Sequence, residues 1–197
     1  MRLLLATRNP DKLKEIKAIL NDLDIELIPL AQVAPKLIIP ETGPTLEANA
    51  RRKALTAMRK TKLLCLAEDT GLEVYALRKK PGVYSARYAG QNASYKENVE
   101  KLLNQLSGIR QRRARFRTVF ALAIPKKRVY LFEGTCSGRI ATKPKGKKGF
   151  GYDPIFIPRG FSKTFGELPA ETKNRVSHRA KALRKVKLFL QRLKQTN

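Results

Sequence analysis

The chain has 197 residues, of which 42% are hydrophobic, the size of one ordinary domain or two tightly joined lobes with a sizeable core. That excludes a multidomain machine and wholesale disorder. Lysine and arginine number 42 against 16 acids, a formal net charge of +26, which predicts attraction to polyanions such as nucleotides, nucleic acid or an acidic membrane surface.

The first apolar run, Leu3 to Thr7, reads as a strand buried on both faces, and Arg8-Asn9-Pro10 breaks it. Leu13, Ile16, Ile19 and Leu20 then recur at helical spacing, which predicts a helix over 10–21 with Pro10 in its first turn. Ile25 to Leu30 is a second strand, and the β-loop-α-β opening predicts a parallel or mixed sheet covered by helices. A helix over 45–60 follows, with Leu46, Ala50, Lys53, Ala54 and Ala57 in its periodic pattern. Leu63–Ala67 and Leu72–Leu77 read as strands on either side of Glu68-Asp69-Thr70-Gly71. Ser94 is a candidate N-cap for a helix over 94–106. Phe116–Ile124 and Arg128–Thr135 read as a hairpin around Pro125-Lys126-Lys127. A Gly/Lys-rich loop over 143–149 precedes Phe150-Gly151-Tyr152-Asp153, and a last helix runs from about Ser177. No internal repeat or domain-separating linker appears.

Four segments have chemistry to offer, each with a plainer reading beside it. Thr7 to Lys12 lies between a strand and a helix N-terminus, where free backbone N–H groups, Asn9 and Lys12 favour a phosphate. Equally, Asn9 caps the helix and Lys12 is solvated. Glu68 and Asp69 at a strand end suit Mg²⁺, which takes oxygen ligands and bridges substrate phosphates, with Glu41 a further ligand from a neighbouring loop; the alternative is an acidic turn. Phe150 to Asp153 can stack on a base and contact its edge, or form ordinary core and turn. Lys173-Asn174 and Ser177-His178-Arg179 can hold phosphate or donate to a base carbonyl, or cap a helix in solvent. One histidine and two distant cysteines make no usual zinc set, and neither a Walker A motif nor G-x-G-x-x-G is present. Cys65 and Cys136 allow one disulfide, but their apolar surroundings fit better the buried thiols of a reduced cytoplasmic chain. The opening MRLLLATRNP is too short in apolar residues for a signal peptide, and no stretch nears the roughly 18 apolar residues of a membrane span.

Taken together the segments resemble the inosine/xanthosine triphosphate pyrophosphatase family. The matching blocks are Ala6-Thr7-Arg8-Asn9 with Lys12 and Glu15, Glu41-Thr42-Gly43 with Thr45, and Glu68-Asp69-Thr70-Gly71-Leu72. They continue with Pro81 to Arg87, Gly149 to Pro154, Lys173-Asn174 and Ser177-His178-Arg179. The resemblance implies an α/β fold with an elongated mixed sheet flanked by helices, a single domain over 1–197 with two lobes around a substrate cleft, and a homodimer. It implies Mg²⁺-dependent hydrolysis of ITP, dITP and XTP to the monophosphate and pyrophosphate. Carried over by position, Asp69 is the general base and a metal ligand, and Glu41 the other metal ligand. Thr7, Arg8, Asn9, Pro10, Asp11, Lys12 and Thr70 contact phosphates and sugar. Phe150, Gly151, Tyr152, Asp153, Lys173, His178 and Arg179 line the site around the base. The glutamate the family carries just before Asn49 stands one residue earlier, as Glu47, a shift that turns a helical side chain by about 100°. The charge and the run Arg110-Gln111-Arg112-Arg113-Ala114-Arg115 also predict non-specific nucleic-acid affinity at low salt.

Overall fold

The computed structural model describes residues 1–126 and 128–195. It is an α/β fold built on a mixed sheet flanked by helices. Strand β1 (Arg2–Leu5) is followed by helix α1 (Pro10–Leu20), strand β2 (Glu26–Pro29) and the short helix α2 (Leu30–Val33). Helix α3 (Leu46–Thr61), strand β3 (Leu64–Val74), the two-residue strand β4 (Pro81–Gly82) and helix α4 (Tyr95–Gln105) come next. Strands β5 (Arg113–Ala123), β6 (Val129–Ile140) and β7 (Phe156–Pro158) precede helices α5 (Ala170–Val176) and α6 (His178–Gln195). The sheet runs β2-β1-β3-β5-β6-β7, with β4 also on β3. β1 is parallel to both neighbours, pairing Leu3 with Leu27 and Leu64, whereas β3–β4 and β6–β7 are antiparallel.

The chain resolves into two compact units, Met1–Asp69 with Thr118–Gly134 and Arg179–Asn197, and Thr70–Arg117 with Thr135–His178. Each has its own core. In the first, Leu3 and Leu5 of β1 pack with Ile16, Phe120, Leu183 and Val186. In the second, Leu72, Leu102, Phe116, Phe156 and Phe165 form the cluster.

Local chemistry explains the elements. Asn9 caps α1, and Thr45 caps α3 by accepting from the Ala48 N–H. Ser94 and Glu97 form a reciprocal capping box on α4. β3 departs from the expectation of two strands: it runs unbroken through Glu68 to Gly71 and ends in a 3₁₀ turn over Tyr75–Leu77. The strand continues because both carboxylates find buried cations, described below, and because Gly71 admits a neighbour. A Cβ at Gly71 would lie 2.5 Å from the Gly82 carbonyl oxygen of β4. Gly71→Ala is therefore expected to cost about 1–3 kcal/mol, read as a lower urea midpoint with an unchanged m-value. β5 starts three residues before the sequence reading, at Arg113, and β6 runs on to Ile140. The short helices α2 and α5 have no counterpart among the elements the sequence predicts. In the expected hairpin turn, Lys127 lies outside the described residues.

Candidate active site

The loop after β1 shows the capping arrangement. The Asn9 side-chain oxygen accepts from the backbone N–H of Asp11 at 2.9 Å and of Lys12 at 3.2 Å, while Thr7 Oγ1 accepts from the Asn9 N–H at 3.2 Å. Pro10 occupies the first helical turn, where its missing N–H costs nothing. The Arg8 guanidinium donates to the carbonyls of Pro35 and, at 3.0 Å, Leu37. Lys12 is not simply solvated: its ammonium lies 3.1 Å from Glu68 Oε1.

Successive residues of a strand point to opposite faces, and β3 separates its two carboxylates accordingly. Glu68 meets the guanidinium of Arg179, which donates from Nε at 2.8 Å and from Nη2 at 3.0 Å. The same guanidinium reaches Glu15 through Nη1. Burial pushes the Glu68 carboxyl up, but Arg179 and then Lys12 outweigh it and hold the group well below the usual carboxylate range. Burial likewise disfavours the charged Arg179, and Glu68 and Glu15 more than restore it. Arg179 is thus a buried structural cation, only 1% exposed.

Asp69 faces a different set. Its Oδ2 accepts from the Asn49 amide at 2.9 Å, and its Oδ1 lies 3.7 Å from the Lys53 ammonium. That ammonium donates to Glu41 Oε1 at 2.6 Å, so it sits between the two carboxylates. The Asn49 side-chain oxygen accepts from the Gly43 N–H at 2.7 Å, tying the loop that carries Glu41 to the amide that holds Asp69. Burial raises the Asp69 pKa; Lys53 opposes it and Glu41 reinforces it. The carboxyl is therefore a stronger base than an exposed aspartate.

Asn49 and Lys53 were absent from the predicted site. The signal was available: they stand four residues apart on α3, in a buried stripe otherwise made of Leu46, Ala50, Ala54 and Ala57. A fully buried amide in such a stripe needs partners. Glu47 lies in the first turn of the same helix, off that stripe.

In the second unit, Asp153 organises the aromatic segment. It accepts from the Phe150 N–H at 2.8 Å and from the Lys173 ammonium. Gly149 has φ +72°, and a Cβ there would fall 2.0 Å from Asp153 Oδ2, so only glycine allows this turn. The Lys173 ammonium also lies over the Phe150 ring, 4.7 Å from its centroid. Phe150 is half-buried and Gly151 follows with φ +61°. Tyr152, by contrast, is in the core, its hydroxyl donating to the Ser85 carbonyl at 2.9 Å. His178 is buried and stacked on Phe116, with centroids 4.5 Å apart and planes at 17°. Thr70 is half-buried in β3. The first unit ends at Asp69 and the second at His178, so Thr70 and Arg179 each adjoin a residue of the other unit along the chain.

The Ham1 family model matches residues 3–189. The dITP/XTP pyrophosphatase of Porphyromonas gingivalis is 47% identical over 190 residues, covering 96% of this chain and 97% of that protein. That of Bacillus subtilis is 44% identical over 190 residues, covering 95% and 96%. The structure of a HAM1 protein from Coxiella burnetii superimposes with a TM-score of 0.89 at 39% identity, covering 98% of this chain and 99% of that one. With its motifs in order, matches that run nearly end to end and the same fold, the chain belongs to the Ham1 family.

Proposed function

We propose that the protein hydrolyses nonstandard purine nucleoside triphosphates, namely ITP, dITP and XTP, to the monophosphate and pyrophosphate, clearing them from the nucleotide pool. The observation that carries the reading is the joined group of buried Asp69, Lys53 and Asn49 with half-buried Glu41, in a chain whose relatives bear the name dITP/XTP pyrophosphatase.

The donor set fits Mg²⁺. Glu41 and Asp69 are hard oxygen donors that already hold a positive charge between them, the Lys53 ammonium. Among the described residues no three of His, Cys, Asp and Glu converge as a metal set. Two carboxylates suffice for Mg²⁺, which keeps several waters and takes the rest of its ligands from substrate phosphates. When bound, it supplies neutralisation of the phosphate oxygens.

The side chains supply the rest. Asp69 takes a proton from the water whose oxygen attacks the α-phosphorus. The P–O bond to the bridging oxygen breaks and pyrophosphate leaves with the electron pair. Lys53 and Lys12 balance the growing negative charge. Thr7 to Lys12 and Thr70 take phosphates and sugar. Phe150 stacks on the base, held by the Asp153–Lys173 pair, with Gly151 leaving the approach open. Tyr152 and His178 are buried in the same unit as Phe150, and Arg179 acts through Glu68 and Glu15, which it holds in place. A donor aimed at the purine O6 accepts hypoxanthine and xanthine and is left unpaired by adenine. The enzyme works as a homodimer in the cytoplasm, where Cys65, its thiol pushed up to about 12 by burial, stays reduced.

A steady-state panel of ITP, XTP, dITP, ATP, GTP and pyrimidine triphosphates with Mg²⁺ tests the reading. ITP and XTP are expected to exceed ATP in kcat/KM by at least about 100-fold, with pyrophosphate as product. Orthophosphate in its place would rule out attack at the α-phosphorus.

A further inference from the structure

The basic charge has a local expression at residues to which the proposed hydrolysis assigns no role. From Tyr75 to Lys96 the sequence holds four of the six tyrosines, five basic residues and no acid. All of it lies in the second unit. Tyr75, Tyr84 and Tyr95 are 40%, 57% and 45% exposed. Arg78, Lys79, Lys80 and Tyr84 are exposed around a cavity of about 550 Å³ that Arg87 and Tyr88 also line.

The surface is ordered. Arg78 and Lys79 adopt left-handed backbone at φ +52° and +66°, a conformation that costs a non-glycine residue about 1–3 kcal/mol. The turn is held by Arg78 N–H to Tyr75 O at 3.1 Å, Lys79 N–H to Val74 O at 2.9 Å and Lys80 N–H to Leu77 O at 3.0 Å. Three cations sit over three tyrosine rings: Arg87 over Tyr84 at 5.2 Å, Lys101 over Tyr88 at 5.0 Å and Arg113 over Tyr75 at 5.7 Å. Of the arginine run picked out in the sequence, Arg112 is absorbed by the carbonyls of Leu106, Ile140 and Ala141, and Arg115 by Glu73. Arg113 joins the tyrosine surface.

We propose that this surface binds single-stranded nucleic acid, with Tyr84 as the principal base-stacking platform and Arg78, Lys79, Lys80 and Arg87 on the phosphates. Phosphate attraction alone requires only the cations. Exposed rings interleaved with them match a strand whose bases are free to stack, whereas a duplex keeps its bases stacked inside and an acidic peptide offers no π-face. A ring more than half exposed, with a guanidinium on one face, has its other face for a base.

The test is fluorescence anisotropy with labelled single strands of about 16 nucleotides, oligo-dT and oligo-rU, and a duplex of equal length, over a salt series. Both single strands are expected to bind more tightly than the duplex. Tyr84→Ala should weaken them about 10-fold, and Tyr84→Phe, which keeps the ring, should not. Lys79→Gln with Lys80→Gln should flatten the salt slope by about 1.4, at about 0.7 per phosphate contact, whereas Lys14→Gln with Lys17→Gln on α1 should leave it unchanged. Circular dichroism confirms that each variant is folded. Equal affinity for duplex and single strand with no effect of Tyr84→Ala would reduce the surface to solvated charge and overturn the proposal. So would competition by polyglutamate as effective as by oligo-dT, or displacement of the strand by saturating ITP. Conversion of a dimer to a monomer by Tyr84→Ala, with oligonucleotide binding intact, would assign the face to a second copy instead.

Discussion

Asp69→Asn is expected to lower kcat for ITP by roughly 10²–10⁴-fold while leaving the protein folded. The amide keeps the shape and can still accept from Asn49 Nδ2, so the hydrogen bond now at 2.9 Å survives. What disappears is the base and one of the two negative charges that flank the Lys53 ammonium. The loss should fall on kcat more than on KM, because a proton acceptor acts in the transition state and Asp69 is only part of what holds the substrate. Stopped assays with pyrophosphate detection measure kcat and KM, and a thermal melt run beside them establishes that the variant is native. A kcat within about threefold of the parent would move the base elsewhere and leave Asp69 a buried partner of Asn49.

The second large effect is on stability. Arg179→Met removes a guanidinium that is 1% exposed and donates to both oxygens of Glu68 and to Glu15. Methionine fills much of the volume but strands the Glu68 carboxylate, whose side chain is 1% exposed and keeps, among the described residues, the Lys12 ammonium as its one ion-pair partner. Removing one partner of a buried pair costs about 3–5 kcal/mol, largely the desolvation of the charge left behind. For a chain of this length that is a Tm lower by roughly 10 °C. Adding Glu68→Gln to Arg179→Met should recover part of the loss, since the stranded charge is gone. If the double variant melts below the single one, the destabilisation comes from lost packing and not from an uncompensated carboxylate.

Much of the frame could be read from local pattern. Asn9 before Pro10, Ser94 three residues before Glu97, and the apolar spacing of α1, α3 and α6 are signals carried within a few residues. The start of β5 was also legible. Arg113, Arg115 and Arg117 alternate with Ala114, Phe116 and Thr118, and only the second set is buried. Taken as one charge run, the arginines hide that period of two. The partners of the carboxylates were not legible. Glu68 and Arg179 are 111 residues apart, and Asp69 and Asn49 are 20 apart. No spacing rule links such pairs, because the sheet and α3 bring them together. The continuity of β3 through Glu68 and Asp69 was missed for the same reason: two adjacent acids look like a turn until each is given a cation on its own side of the strand.

The chain crosses from one compact unit to the other four times, after Asp69, Arg117, Gly134 and His178. Three of those crossings fall inside strands, β3, β5 and β6. Neither unit is a contiguous stretch of polypeptide, so no single truncation yields either of them whole. Evolution therefore has no ready route to swap one unit for a foreign module, as it does with beads on a linker. Change of substrate has to come by point substitution and loop variation within an indivisible chain.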